Sequence, residues 1–283
     1  MTQELQKKVD RAIKLIQSAS KIATEHGQPL EVAYSGGKDS DVILELTKMA
    51  NVPYRAIYKN TTIDPPGTIK HAIEMGAEVL RPKYRFFELV RQMGLPMRHN
   101  RFCCRYLKEY KVLDYVIVGV RRDESGQRKE RYKEPEMCRV YNKKEKVRQY
   151  FPILDWDYKD IEEFIKERNI RCAPIYYDEK GNFYVERRLG CMCCPLASKN
   201  KRIAQFKKYP NMVKAYIRAG KEWMETHPNT SSAKQYSSIY EKFVRDVFYG
   251  DDMQGWKDLN SGFLPPPNFK EFLENYFNIK FND

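Results

Sequence analysis

Apolar residues recur every third or fourth position from Leu5 through Val9, Ala12, Ile13, Ile16 and Ala19 to Ile22, which predicts an amphipathic helix over residues 3–25. His26-Gly27 and Pro29 end it. The period then shortens. EVAY (31–34), YRAIY (54–58), AEVL (77–80), YVIVGV (115–120) and FPIL (151–154) are short apolar runs of strand length. Helical patterns separate them: Val42, Leu46, Met49 and Ala50 after the first, then TIKHAIEMG, RFFELVRQM, residues 105–113, and a stretch from Asp157 to Asn169. Strands alternating with helices predict an α/β fold, an open, mostly parallel five-stranded sheet with helices on both faces. From Lys199 the strand signal disappears and a Tyr-, Phe- and Lys-rich helical lobe is expected, broken by Pro265-Pro266-Pro267. The expected organisation is an N-terminal helix (1–27), an α/β domain (28–198) and a C-terminal helical lobe (199–283).

The turn between the first strand and its helix reads Ser35-Gly36-Gly37-Lys38-Asp39-Ser40. Such a turn aims backbone N–H groups and a helix N-terminus at one anion. Gly36 and Gly37 let the main chain come close, Ser35 and Ser40 add hydroxyl donors, and Lys38 adds a point charge. Asp39 would repel a bare phosphate and suits the helix N-terminus or a bound Mg²⁺. The spacing is not that of the GxxxxGK[ST] loop.

Composition narrows the partners. A net charge of +13 over 283 residues favours anions, and residues 101–150 carry +7 of it. A solvated basic face and a nucleic-acid surface both account for that segment. No apolar run reaches membrane-spanning length and the N-terminus lacks a secretory h-region, so a cytoplasmic protein with no membrane role is expected. Seven cysteines in a reducing compartment point to metal or chemistry rather than disulfides. Five of them cluster as Cys103-Cys104 and Cys191-x-Cys193-Cys194; Cys138 and Cys172 stand alone. His26, His71 and His227 have no motif around them, and His99 lies only near the Cys103-Cys104 pair.

SGGKDS at a strand-to-helix turn resembles the loop of the PP-loop ATP pyrophosphatases, within them the phosphoadenylylsulfate reductase-like family with its adenine nucleotide alpha hydrolase-like fold. AIYKNTTIDPPGT is similar to that family's second-strand motif, and VGVRRDESGQR to its Gly-x-Arg segment. The resemblance implies ATP with Mg²⁺, its β and γ phosphates on Ser35 to Ser40. It also implies Asn60 and Thr61 near the nucleoside, and Gly119, Arg121 and Arg122 on phosphates or sulfate. Cys103, Cys104, Cys191 and Cys194 resemble the ligand pattern of a [4Fe–4S] cluster, with zinc and free thiols as the alternatives. Lys38, Asp39, Arg121, Arg122 and Cys193 are the candidate catalytic residues, Cys193 as a ligand or sulfur carrier.

The family's reductases attack sulfur with a cysteine near the C-terminus; here 89 residues follow Cys194 without another. An intact loop with no such thiol resembles the ATP pyrophosphatases of DNA phosphorothioation and tRNA thiolation. Those adenylate a substrate for sulfur transfer, and their likeness implies a nucleic-acid substrate, a sulfur donor such as a cysteine desulfurase, and partner subunits. Two other readings stay open: a sulfonucleotide reductase using Cys193 or Cys138, and a non-catalytic nucleotide-binding subunit of a nucleic-acid complex.

Overall fold

The computed structural model describes residues 1–141, 143–250 and 268–282; the Pro265–Pro267 break lies outside them. The chain packs as two compact units that it visits alternately. The first comprises Met1–Asn60, Asp64–Pro82 and Lys108–Gly190; the second comprises Thr61–Ile63, Lys83–Leu107 and Cys191–Asp283.

The first unit is an α/β layer structure around six strands: β1 (Leu30–Tyr34), β2 (Tyr54–Lys59), β3 (Glu78–Leu80), β4 (Tyr115–Ile117), β5 (Glu136–Tyr141) and β6 (Glu145–Tyr150). Their order across the sheet is β3-β2-β1-β4-β6-β5, parallel except for β5, which runs antiparallel to β6. Four of the five predicted strands are present. FPIL is not one of them. Pro152 has no N–H to give a ladder, the Phe151 N–H goes to the Pro135 carbonyl, and Leu154 N–H turns back to Phe151. The ladder is formed by the residues just before, Glu-Lys-Val-Arg-Gln-Tyr, whose polar look hides a strand. Only Val147, Gln149 and Tyr150 of it are buried.

Helix α1 (Gln3–Glu25) is capped by Thr2, whose hydroxyl accepts the Leu5 N–H, and buries Leu5, Val9, Ala12, Ile16, Ala19 and Ala23. It packs on α2 (Lys38–Ala50), which packs in turn on β1 and on α7 (Tyr158–Glu167). Asp157 and Asp160 form a capping box at the start of α7. Leu30, Val32 and Tyr34 of β1 face this helical layer and its core, whereas Glu31 and Ala33 face a cavity on the opposite side of the strand. Short helices α3 (Thr68–Glu74) and α6 (Gly126–Arg131) belong to the connections.

The second unit is helical: α4 (Phe86–Met93), α5 (Phe102–Leu107), α8 (Lys199–Lys208), α9 (Pro210–Thr226), α10 (Ser231–Lys234), α11 (Ile239–Lys242) leading into a π-helical stretch (Phe243–Tyr249), and α12 (Phe269–Phe277). The helix predicted over 105–113 lies earlier, at 102–107. Its core is aromatic. Phe86, Phe87, Phe206 and Phe243 surround the Tyr216 ring at centroid distances of 5.6, 5.4, 5.6 and 6.0 Å. No helix among the described residues is long and apolar enough to cross a membrane.

Candidate functional site

The loop leaves β1 at Ser35 and turns at Gly36, whose φ of +74° lies in the left-handed region. A Cβ there would also stand 2.8 Å from Thr68 Cγ2. Gly37 is the N-cap of α2 and offers no side chain for the cap. Ser40 closes the turn, its hydroxyl donating to the Gly37 carbonyl at 2.7 Å and lying 3.2 Å from Ser35 Oγ. Gly119, two residues beyond β4, presses on the loop from the neighbouring strand. A Cβ on it would meet the Asp39 carbonyl oxygen at 2.9 Å and the Asp39 carbonyl carbon at 3.1 Å.

Two cations converge on one carboxylate here. Lys38 Nζ lies 2.8 Å from Asp39 Oδ2, and Arg121 Nε lies 2.7 Å from Asp39 Oδ1. The Arg121 side chain is 0% exposed and that of Lys38 3%. Burial works against the Arg121 charge, but Asp39 outweighs it and holds the pKa above its ordinary value. Its Nη1 reaches the Trp156 carbonyl at 3.4 Å, while its Nη2 has no hydrogen-bond partner. Tyr158 stacks on it, with the guanidinium carbon 4.4 Å from the ring centroid.

Sequence reasoning missed the groups behind this arrangement. Tyr176, 138 residues along the chain, accepts the Lys38 N–H at 3.2 Å and the Leu189 N–H at 3.4 Å through its hydroxyl oxygen. Asp41, in the first turn of α2, accepts from the Tyr34 hydroxyl and sits 2.9 Å from His71 Nε2. Burial, with Asp41 beside it, pushes the Cys172 thiol up. The only sequence signal was the 3.6 period that puts Asp41 on the inner face of α2, opposite to what an acidic residue suggests. His71, read as having no motif, is buried against this carboxylate.

Ser35, Gly37, Lys38, Asp39, Ser40 and Gly119 line one end of a cavity of 410 Å³ that continues over the face of the sheet. Its floor is polar. Glu31 accepts the Leu113 N–H at 3.0 Å and lies 3.7 Å from Lys59, whose ammonium donates to the Tyr110 carbonyl at 2.6 Å. Burial pushes the Glu31 carboxyl up and the Lys59 ammonium down, each partly offset by the other.

Three expected residues have partners outside the loop. Arg122 is bound by the carbonyls of Tyr132 (2.8 Å) and Lys133 and by the Asp155 carboxylate, so its guanidinium staples residues 132–133 rather than presenting a free fork. Asn60 and Thr61 part company. Asn60 stays with the sheet, its N–H on the Leu80 carbonyl, whereas Thr61 belongs to the helical unit, where Cys191 Sγ lies 3.6 Å from its hydroxyl.

That helical unit holds all five clustered cysteines. Cys103, Cys104, Cys191 and Cys194 are half-buried. The Cys103 thiol is held up by its hydrogen bond to Cys104, by burial, and by the nearness of Cys194 and Cys191. Four thiols within this one unit suit a thiolate-bound iron–sulfur group in donor type and number. Among the described residues no three His, Cys, Asp or Glu side chains form a ready-made ligand set for a single metal ion. Cys193 differs from its neighbours. It is 1% exposed, sits at a φ of +53°, gives its N–H to Gln205 Oε1 at 2.8 Å, and its thiol is pushed up to about 12 by burial, against the pull of Arg202. Buried and with its thiol pushed up, it is a core side chain and a poor nucleophile. Cys138 is exposed on β5.

A glycine turn that brings two buried cations and a helix N-terminus to one end of a parallel sheet is an arrangement suited to an anion, within an α/β domain. The phosphoadenosine phosphosulfate reductase domain matches residues 29–197, more than half of the chain, and the chain belongs to that family. A sulfate adenylyltransferase subunit 2 of Aliivibrio fischeri is 30% identical over 194 residues, covering 56% of this chain and 63% of that protein. An uncharacterised protein of Methanocaldococcus jannaschii is 25% identical over 228 residues, covering 75% of this chain and 53% of its own length. The chain thus spans between half and two thirds of these relatives. Among solved structures, a phosphoadenylyl-sulfate reductase of Candida auris in a phosphate complex is 18% identical with a TM-score of 0.41, covering 61% of this chain and 89% of that one.

Proposed function

We propose that the chain is an ATP pyrophosphatase that activates an anionic substrate for sulfur insertion. The carrying observation is the meeting of Lys38 and Arg121, both buried, on Asp39 beside the start of α2. A diphosphate bound at the loop takes over both cations from Asp39, which then helps to hold Mg²⁺ with the phosphates. The polar cavity over the sheet takes the rest of the nucleotide. An oxygen of the acceptor attacks the α-phosphorus, the bond to the bridging α–β oxygen breaks, and pyrophosphate leaves onto Lys38, Arg121 and the α2 N–H groups. Charge grows on the leaving oxygens, and fixed donors in a buried site favour that growth most. A thiol cleaves the persulfide of a donor of the cysteine desulfurase type, forming a disulfide and releasing hydrosulfide, which attacks the activated atom of the substrate as the acceptor's oxygen leaves with AMP.

Nucleic acid is the favoured acceptor because residues 101–150 carry a local +7. The family membership and the adenylyl-transferring name of the A. fischeri relative support AMP transfer, and its designation as a subunit supports a partner chain. Cys103, Cys104, Cys191 and Cys194 are the residues that would hold a [4Fe–4S] group, which would supply electron transfer or a sulfur-binding iron. The burial of Cys193 speaks against its use as a reductase nucleophile, leaving Cys138 as the exposed thiol for that alternative.

The test is product analysis with ATP, Mg²⁺ and DNA, tRNA or sulfonucleotide. AMP and pyrophosphate, abolished in Lys38→Ala, are expected. ADP with orthophosphate would refute the reading; tight ATP binding without turnover would favour a non-catalytic subunit, and thiol-dependent sulfite release would favour a reductase.

A further inference from the structure

Tyr216 on α9 is an anomaly in the helical unit. It is fully buried, and its hydroxyl has no hydrogen-bond partner. Buried hydroxyls nearly always have one, because leaving water without compensation is unfavourable. Its ring is gripped by Phe86, Phe87, Phe206 and Phe243, so the side chain cannot swing out to find a partner. Tyr216 shares its apolar cluster with Cys193, and Cys103 and Cys191 pack against the same cluster. Burial raises its pKa well above the ordinary value, and Cys193, Cys103, Cys194 and Cys191 raise it further. Three of the clustered cysteines thus share the apolar cluster of this phenol, and an anionic sulfur group there would meet a neutral O–H donor.

We propose that the Tyr216 hydroxyl donates a hydrogen bond to a sulfur of the iron–sulfur group held by Cys103, Cys104, Cys191 and Cys194, and thereby raises its reduction potential. This rests on the iron–sulfur reading above. A donor to sulfur stabilises the more negatively charged reduced form more than the oxidised form, so the potential rises. The phenol is caged before the group arrives, so no reorganisation is needed.

Wild type and Tyr216→Phe, full chain, are reconstituted anaerobically with iron and sulfide. Iron and sulfide content, midpoint potential and the melting temperature of the metal-free chain are then measured. The variant is expected to melt no lower than wild type without metal, to load the same iron and sulfide, and to show a more negative potential. An unchanged potential in a fully loaded variant overturns the proposal, as does a metal-free variant that melts lower, since that reveals a partner within the protein. A wild type that takes up no iron and sulfide overturns the parent reading instead, and this proposal with it. Should the Phe variant not fold, 3,5-difluorotyrosine placed at 216 tests the same bond with the opposite sign. It is a stronger donor, so the potential must rise, and no rise refutes the assignment.

Discussion

Asp39→Asn isolates the electrostatics of the loop. The amide keeps the shape but removes the only negative charge from the trio of Lys38, Asp39 and Arg121, whose sum goes from +1 to +2. Removing one partner of a buried ion pair costs about 3–5 kcal/mol, because a buried charge is left uncompensated. The Asp39 side chain is 16% exposed, so water screens part of the loss. The low end, about 3 kcal/mol, is expected. For a chain of this size that lowers the melting temperature by about 5 °C. Pyrophosphate supplies the missing negative charge. It should raise the variant's melting temperature more than that of wild type at the same concentration, since tighter binding to the folded state adds stability through mass action. Calorimetry across a pyrophosphate titration measures both effects. A variant that melts with wild type, or one that pyrophosphate stabilises to the same degree as wild type, would refute the reasoning.

Gly119→Ala puts a methyl 2.9 Å from the Asp39 carbonyl, a backbone atom that moves only with the whole loop, so about 1–3 kcal/mol of stability and most of the ATP affinity should go. Unchanged ATP affinity by calorimetry would mean the loop tolerates the shift. Arg122→Ala removes the clamp on Tyr132 and Lys133 and should cost about 1–3 kcal/mol in urea while leaving the KM for ATP within twofold; a large KM effect would return Arg122 to the phosphates. Mapped iodoacetamide alkylation of the folded chain at pH 7 should label Cys138 and spare Cys193. Because the Cys193 pKa is raised, its thiolate appears only as pH climbs toward about 12, so labelling of Cys193 at neutral pH would show that the core opens.

The hydrophobic period was a good guide to the α/β layers because β1, β2 and β4 bury apolar runs. It failed at β5 and β6, which form a hairpin of charged side chains around Val147 and Tyr150; β5, at the edge of the sheet, needs few apolar residues to hold its ladder, and β6 buries only Val147, Gln149 and Tyr150. The loop was legible because six consecutive residues carry it. Its supports were not. Tyr176 and Tyr158 reach Lys38 and Arg121 from more than thirty residues away, and no local pattern records such a meeting. Arg121 and Arg122 look alike in sequence, and only their carbonyl and carboxylate neighbours separate an arginine facing Asp39 from one that staples a turn. Cys193 looked reactive beside Cys194, and its burial reverses that reading.

The alternation of the chain between its two units also sets a clock. Cys103 and Cys104 leave the ribosome 87 residues ahead of Cys191, and Phe206 and Phe243, which complete the cage of Tyr216, follow later still. At about 5–20 residues per second, the first two thiols wait roughly 4–17 s for the other pair. During that interval they are open to oxidants and to free metal ions. Sequences that pair their cysteines within a few residues never face such a delay. Expression under air should therefore damage Cys103 and Cys104 during synthesis, before any folded core exists to shield them.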